Sequence, residues 1–256
     1  MRIDSSTRAF VTGASRGIGR ALATELSARG ATVGLASRSA DEALARQLGP
    51  RAIALRCDVG DAAAVRAAVD AFAERAGGLD LVVANAGIAH YRPFLEQDLA
   101  DVEEMTRVNW LGTVYTVKAA LPHLGSGHIV IVSSGAALRS FPWAAGYGAT
   151  KAAQRAFASA LRHELGGIGV TTVFPGEIET DLHSHQRDRL PPWRGVGAEA
   201  DADGLAKAVL AAVEANRRTL AYPRQVALLG LDALAPRLTD LLLRRLRGRS
   251  AAPRVP

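Results

Sequence analysis

A single cysteine, Cys57, stands among 256 residues. The chain can therefore form no internal disulfide and no thiolate metal cluster, which excludes disulfide scaffolds and zinc-cluster folds. No apolar run approaches the ~18 residues of a membrane-crossing helix. The first residues, Met1-Arg2-Ile3-Asp4-Ser5-Ser6, lack the apolar centre of a signal peptide, so a cytoplasmic protein is the expectation. Lysine is scarce too: of 31 basic residues only Lys118, Lys151 and Lys207 are not arginine. Heavy alanine use points to a coding bias, and against that bias each lysine stands out. What is abundant is aliphatic and small, with 48% hydrophobic and 22% charged residues, enough for one well-buried domain.

The formal net charge of +6 is unevenly spread. Residues 237–256 hold Arg237, Arg244, Arg245, Arg247, Arg249 and Arg254 against Asp240 alone, which leaves 25 basic and 24 acidic side chains over residues 1–236. A nearly neutral body carries no basic stripe to follow phosphates, so no nucleic-acid partner is expected.

Short apolar runs recur at Ala9–Thr12, Thr32–Ala36, Ala52–Asp58, Leu79–Ala84, His128–Ser134, Val170–Phe174 and Thr219–Tyr222, mostly separated by alanine-rich stretches with helical periodicity. Seven strands alternating with about six helices predict a doubly wound parallel sheet with helices on both faces. No repeat or low-complexity linker divides the chain. A catalytic domain is expected over residues 1–236, with a basic tail over 237–256. His183, His185, Pro191, Pro192, Trp193, Gly195 and Gly197 interrupt the alternation and predict a substrate loop at residues 182–198.

The first strand runs into Gly13, Ser15, Arg16, Gly17, Ile18 and Gly19. Glycines at a strand-to-helix turn let a pyrophosphate approach the N–H groups of the helix N-terminus. The spacing is G-x-x-x-G-x-G rather than G-x-G-x-x-G, and an ordinary tight turn is the competing reading. About 20 residues on, an NAD site presents an acid to the ribose and an NADP site presents arginine. Here the chain reads Ser37-Arg38, and with Arg16 two guanidinium groups and a hydroxyl can surround a phosphate. NADP(H) is therefore expected over NAD(H), although arginine bias alone could place both. Asp58 ends the third strand, where it can reach an adenine, and Asn85-Ala86-Gly87 end the fourth; each is also a common turn signal.

Tyr147 and Lys151 lie at i and i+4, on one helix face. A nearby ammonium stabilises phenolate and draws the tyrosine pKa from about 10 toward neutrality, as a general acid at pH 7 requires. Ser133 and Ser134 alternate at a strand end, so one of them faces the site. A Tyr-x-x-x-Lys pair is otherwise an ordinary helix surface pair.

Taken in order, Thr12-Gly13-x-x-x-Gly17-x-Gly19, Asn85-Ala86-Gly87, Asn109, Ser134, Tyr147-x-x-x-Lys151 and Pro175-Gly176 with Thr180 resemble the short-chain dehydrogenase/reductase family over roughly residues 5–225. The resemblance implies a Rossmann-type fold and an NADP(H)-dependent oxidoreductase. It selects Ser134, thirteen residues before the tyrosine, as the catalytic serine. Tyr147 would donate a proton to a carbonyl oxygen as hydride arrives from nicotinamide, Ser134 would hydrogen-bond that oxygen, Lys151 would bind the ribose, and Asn109 would hold a relay water. Ile178 and Thr180 would hold the carboxamide, and Val59 and the remaining motif residues would serve the cofactor. Ala84 replaces an asparagine common in the family, a mild departure. Glu177 and Glu179, unusual beside the carboxamide segment, are expected to face solvent.

Ala136, Leu138, Trp143, the segment His90–Phe94, Leu182, Leu190 and Trp193 would bound a mostly apolar pocket. It suits a small hydrophobic ketone or secondary alcohol, steroid-like, fatty or polyketide-derived; a 3-oxoacyl thioester reductase and a non-catalytic nucleotide-binding protein are the alternatives. His183 and His185 are expected to face water rather than a metal. Small apolar residues over Asn109–Ala120 and Ala152–Leu165 and the resemblance predict a homodimer or homotetramer. Leu238, Leu241, Leu242, Leu243 and Leu246 form an apolar stripe among the tail arginines, a basic amphipathic helix that either docks on the protein, the preferred reading, or makes peripheral membrane contact.

Overall fold

The computed structural model describes residues 1–178, 200–237 and 239–241. Seven strands form one parallel sheet: β1 (Arg8–Thr12), β2 (Thr32–Ser37), β3 (Ala52–Arg56), β4 (Leu81–Ala84), β5 (His128–Val132), β6 (Gly169–Pro175) and β7 (Thr219–Tyr222), in the order β3-β2-β1-β4-β5-β6-β7. Parallel neighbours need crossovers, which here are helices: α1 (Gly17–Ala28), α2 (Glu42–Leu48), α3 (Ala62–Ala76), α4 (Leu99–Met105), α5 (Gly112–Leu124), α6 (Ala145–Glu164) and α7 (Ala202–Glu214). The expected strands are all present, with β3, β4 and β5 shorter than their apolar runs because residues 57–58, 79–80 and 133–134 at the run ends are irregular backbone.

Period-two alternation distributes each strand's side chains to two cores. Val11, Leu81, Val83, Val130 and Val132 pack with Leu22, Leu26, Leu205 and Leu210 of α1 and α7. Phe10, Val82, Ile129 and Ile131 pack with Val65, Phe72, Val117 and Leu161 of α3, α5 and α6. Because both faces are covered, the strands read as nearly continuous apolar runs. The chain order reverses between β1 and β4, so the crevice outside their carboxyl ends is where a ligand binds in such sheets.

Candidate active site

At that crevice β1 turns into α1. Gly13 has φ +66°, and a Cβ on it would lie 2.9 Å from Ala86 Cα. A Cβ on Gly19 would lie 2.2 Å from Gly13 O; Gly19 is buried beneath the turn and does not line the cleft, so it lets α1 approach rather than touching a ligand. Arg16 is extended (φ −154°, ψ 167°), no side chain caps α1, and its first turn holds no acid. By contrast α2, α3 and α7 are capped by Asp41, Asp61 and Asp201. The uncapped N–H groups and partial positive charge of α1 suit an anion.

Thr12 fixes the turn. Its hydroxyl accepts the N–H groups of Asn85 (3.0 Å) and Ala86 (3.1 Å) and donates to Val83 O (3.3 Å), while Asn85 Nδ2 donates to Thr12 O (2.9 Å). Asn85 thus holds the strand ends together while its surface faces the cleft. Ser37, at the end of β2, has a buried Oγ without a partner among the described residues. Beside it, Arg38 and Arg16 are exposed, and neither forms an ion pair among the described residues. Asp58 Oδ1 accepts the Gly60 N–H (2.9 Å), leaving its second oxygen for a ligand. A glycine cradle that admits no Cβ, an uncapped helix N-terminus and an orphaned hydroxyl beside two unpaired arginines fit a dinucleotide.

Farther along the same cleft stand Ser134, Tyr147 and Lys151. Lys151 is 4% exposed; Nζ donates to Val132 O (3.1 Å) and lies 5.8 Å from the centre of the Tyr147 ring. Burial pushes its pKa down to about 7, since the charged form has lost its hydration. Ser133 donates its hydroxyl to Lys151 O (2.9 Å) and is buried. Ser134 Oγ accepts the Ala136 N–H (3.1 Å), which leaves its own O–H free to point into the cleft.

Asn109 does not line the cleft. It is fully buried in a π-helical turn, Thr106–Leu111, between α4 and α5, an irregularity common at functional sites. Oδ1 accepts the Ile88 N–H (2.8 Å), and Nδ2 donates to Ile88 O (2.9 Å) and to Thr150 Oγ1 (3.1 Å). Its carbonyl accepts from Thr113 Oγ1 (2.8 Å) and Gln154 Nε2 (2.9 Å). One lone pair of Oδ1 remains. A Cβ on Gly87 would lie 3.2 Å from Oδ1 and 3.4 Å from Lys151 Nζ, so glycine keeps clear the space that both atoms face.

Most of the expected binding residues meet in this cleft: Ser15, Gly17, Ile18, Val59, Ala86, Gly87, Pro175, Gly176 and Ile178 line it with those above. Thr180, Glu179 and the loop 182–198, with Leu182, His183, His185, Leu190 and Trp193, lie outside the described residues. Glu177 is half-buried, less open to solvent than expected, and its carbonyl accepts the Ala200 N–H (2.8 Å). Of the expected pocket residues, Ala136 packs with Tyr91 and Tyr147, whose rings meet edge-on at 5.7 Å. Leu138 instead packs with Ala137, Phe174 and Val226: the short helical turn after Ser134 rotates it toward the C-terminal segment. Trp143 adopts φ +69° and its carbonyl accepts the Arg92 N–H (3.0 Å), tying the two segments over Tyr147 at a backbone cost of roughly 1–3 kcal/mol. Sequence reasoning missed Glu104 and Arg107, which also line the cleft because the loop after Gly87 folds α4 against it. Thr150 and Gln154 were legible in principle, since they follow Tyr147 at i+3 and i+7 on the same helix face.

Comparison with known proteins agrees with this geometry. The family model described as short chain dehydrogenase matches residues 7–191. The chain is 34% identical over 235 residues to 11-beta-hydroxysteroid dehydrogenase 1A of Arabidopsis thaliana, covering 84% of this chain and 67% of that one. A short chain dehydrogenase from Burkholderia cenocepacia in complex with NADP shares 35% identity and a TM-score of 0.77, covering 86% of this chain and 97% of that one. A short chain dehydrogenase/reductase from Burkholderia phymatum in complex with NAD shares 25% identity and a TM-score of 0.81, covering 93% and 97%. A nicotinamide dinucleotide is thus the cofactor that both the cradle and its relatives support, and the chain belongs to the short-chain dehydrogenase family of oxidoreductases.

Proposed function

We propose that the protein interconverts a hydrophobic ketone and its secondary alcohol, taking NADP(H) in preference to NAD(H). The observation that carries this reading is the buried Lys151 ammonium 5.8 Å from the Tyr147 ring, in one cleft with the free O–H of Ser134. When bound, the cofactor supplies or accepts the hydride. Tyr147 gives its phenolic proton to the substrate oxygen in reduction and takes it back in oxidation. Ser134 donates a hydrogen bond to that oxygen as charge develops on it. Lys151, with a pKa near 7, holds both of its protonation states near neutral pH: the ammonium favours the phenolate and can give up a proton toward it, and the amine left behind takes a proton back from the solvent side. The free lone pair of Asn109 Oδ1 and Lys151 Nζ, both facing Gly87, are the positions a proton-relaying water would use. Ile178 and Thr180 are assigned to the carboxamide.

The preference for NADP(H) rests on Ser37, Arg38 and Arg16, which offer a 2′-phosphate a hydroxyl and two guanidinium groups without a competing acid. An apolar substrate suits Tyr91, Ala136, Ile88 and Ile178. Assembly as a homodimer or homotetramer rests on the outer faces of α5 and α6, where Trp110 meets Phe157 edge-on at 5.3 Å beside exposed Ala152, Ala156 and Ala160. For the basic tail at residues 237–256, docking on the protein is the preferred reading and peripheral membrane contact the alternative. The test of the chemistry is a panel of steroid-like and fatty ketones, their alcohols and 3-oxoacyl thioesters, followed by nicotinamide absorbance with NADPH and with NADH. Turnover of ketones with NADPH is expected; turnover of thioesters alone, or a preference for NADH, contradicts the reading.

A further inference from the structure

The exposed large hydrophobic side chains of the described residues, Met1 apart, fall in two groups: Phe94, Leu95 and Leu99 after β4, and Leu228, Leu231, Leu234 and Leu241 after β7. Both therefore lie on segments leaving the carboxyl edge of the sheet, the edge that holds the active site. Their surroundings differ in charge. The first group is set among Glu96, Asp98, Asp101, Glu103 and Glu104, whereas residues 223–256 carry seven arginines against Asp232 and Asp240.

The second group owes its alignment to its backbone. Arg224–Ala233 is a 3-10 helix, in which three residues make a turn and side chains at i and i+3 eclipse. Val226, Leu229 and Asp232 form the inward row. Val226 is buried against Ala137 and Phe174, with Leu229 beside it, and Asp232 pairs with Arg139. The outward row is Leu228, Leu231 and Leu234, at 63%, 50% and 82% exposure. A row of leucines in water on an otherwise anchored segment is the mark of an interaction surface. Arg139 also pairs with the exposed Asp240, so one guanidinium engages both acids of the segment, while Arg224 and Arg237 are exposed and form no ion pair among the described residues.

We propose that the leucine row Leu228–Leu231–Leu234 is a membrane-docking ledge that seats the carboxyl edge of the sheet on an anionic bilayer. It builds on the membrane alternative for the basic tail by giving the membrane a rigid apolar face within the fold. Leucines enter the acyl boundary while arginines meet lipid headgroups, the pairing of forces that holds interfacial helices. Because Val226 and Leu229 press on the turn that follows Ser134, the ledge brings the cleft mouth to the lipid, where a lipophilic ketone is dissolved.

The test is flotation of the full chain with vesicles of phosphatidylcholine alone or mixed with phosphatidylglycerol. The comparison set is the triple variant Leu228→Ser/Leu231→Ser/Leu234→Ser and a chain ending at Pro236. The full chain is expected to float with the anionic vesicles only, and the triple variant to lose about tenfold or more of that partitioning while keeping its melting temperature and its turnover of a water-soluble ketone. No flotation of the full chain, or flotation unchanged in the triple variant, overturns the ledge. Flotation lost only on truncation assigns binding to the tail alone and also overturns it. A triple variant that falls from dimer to monomer by light scattering makes the row an interface between copies, again overturning the proposal. Turnover of the soluble ketone reports on the reaction independently of all these outcomes.

Discussion

The two edges of the sheet treat polar groups in opposite ways. At the amino edge they are paired. Arg8 donates to Asp80 from its backbone N–H (2.8 Å), Nε (2.7 Å) and Nη2 (2.6 Å). His128 meets Thr171 Oγ1 at 2.8 Å, and that hydroxyl donates to Arg217 O (2.6 Å), so His128 Nε2 carries the donated hydrogen. Arg162 reaches Val170 O, Arg218 O and the Thr172 hydroxyl. At the carboxyl edge they are left open. The buried side-chain atoms without partners among the described residues are Ser37 Oγ, Gln97 Oε1, Arg139 Nε and Gln154 Oε1, which belong to segments leaving the strand ends or to α6 behind them. α1 is uncapped, and the buried Lys151 ammonium has one hydrogen bond among the described residues. One edge is built for stability; the other holds donors and acceptors in reserve for a ligand.

Substitutions at the two edges should therefore separate activity from stability. The largest effect belongs to Tyr147→Phe, which removes the proton donor. Turnover is expected to fall by about 10²–10⁴-fold or more, with NADPH affinity within a few fold and the melting temperature nearly unchanged; steady-state rates and fluorescence titration check this. Next is Arg38→Asp, which turns attraction into repulsion at the 2′-phosphate. The ratio of NADPH to NADH efficiency should fall by about tenfold or more, and an unchanged ratio would remove Arg38 from the site.

The amino edge should answer in stability alone. Burial pushes the His128 pKa down to about 4 from 6.5, so between those values the unfolded chain binds a proton that the native chain refuses. Stability is present above about pH 6.5 and is lost as pH falls toward 4, by at most about 3 kcal/mol from this group. Thermal melts across that range should be flatter for His128→Gln, with activity at pH 7 retained. Smallest is Asp80→Asn. Arg8 holds the Asp80 carboxyl below the usual range, but the pair is partly exposed, so a loss of about 1 kcal/mol is expected, read as a lower melting temperature at constant kcat.

The features legible in the sequence are those whose physics is local: the glycine turn, the Tyr147–Lys151 spacing on one helix face, and the apolar runs that became seven strands. Strand order was not legible, because the choice that sets β4 beside β1 is made by crossovers rather than by any residue in either strand. Alternation said only that one of Ser133 and Ser134 faces the site; the bond from Ser133 to the Lys151 carbonyl depends on α6 packing against β5. The Thr12 clamp and the bonds from Asn109 to Ile88 and Thr150 join residues 21 to 74 apart, beyond any local pattern. The leucine row at 228, 231 and 234 was overlooked for a different reason: a period of three is invisible to a search for 3.6.

Lys151→Met puts the comparison to its most direct test, because the same side chain is held responsible for activity and for a stability cost. With a folded pKa near 7 against an ordinary value of 10.5, the native chain at neutral pH binds less proton than the unfolded one. Stability is therefore reduced there, and the penalty fades as pH rises toward 10. Melting curves and turnover of wild type and Lys151→Met should be recorded together from pH 7 to 10. The account predicts an inactive variant that melts several degrees higher than wild type at pH 7, with the gap narrowing by pH 10. A variant that melts lower than wild type at every pH, or that retains turnover, would contradict it.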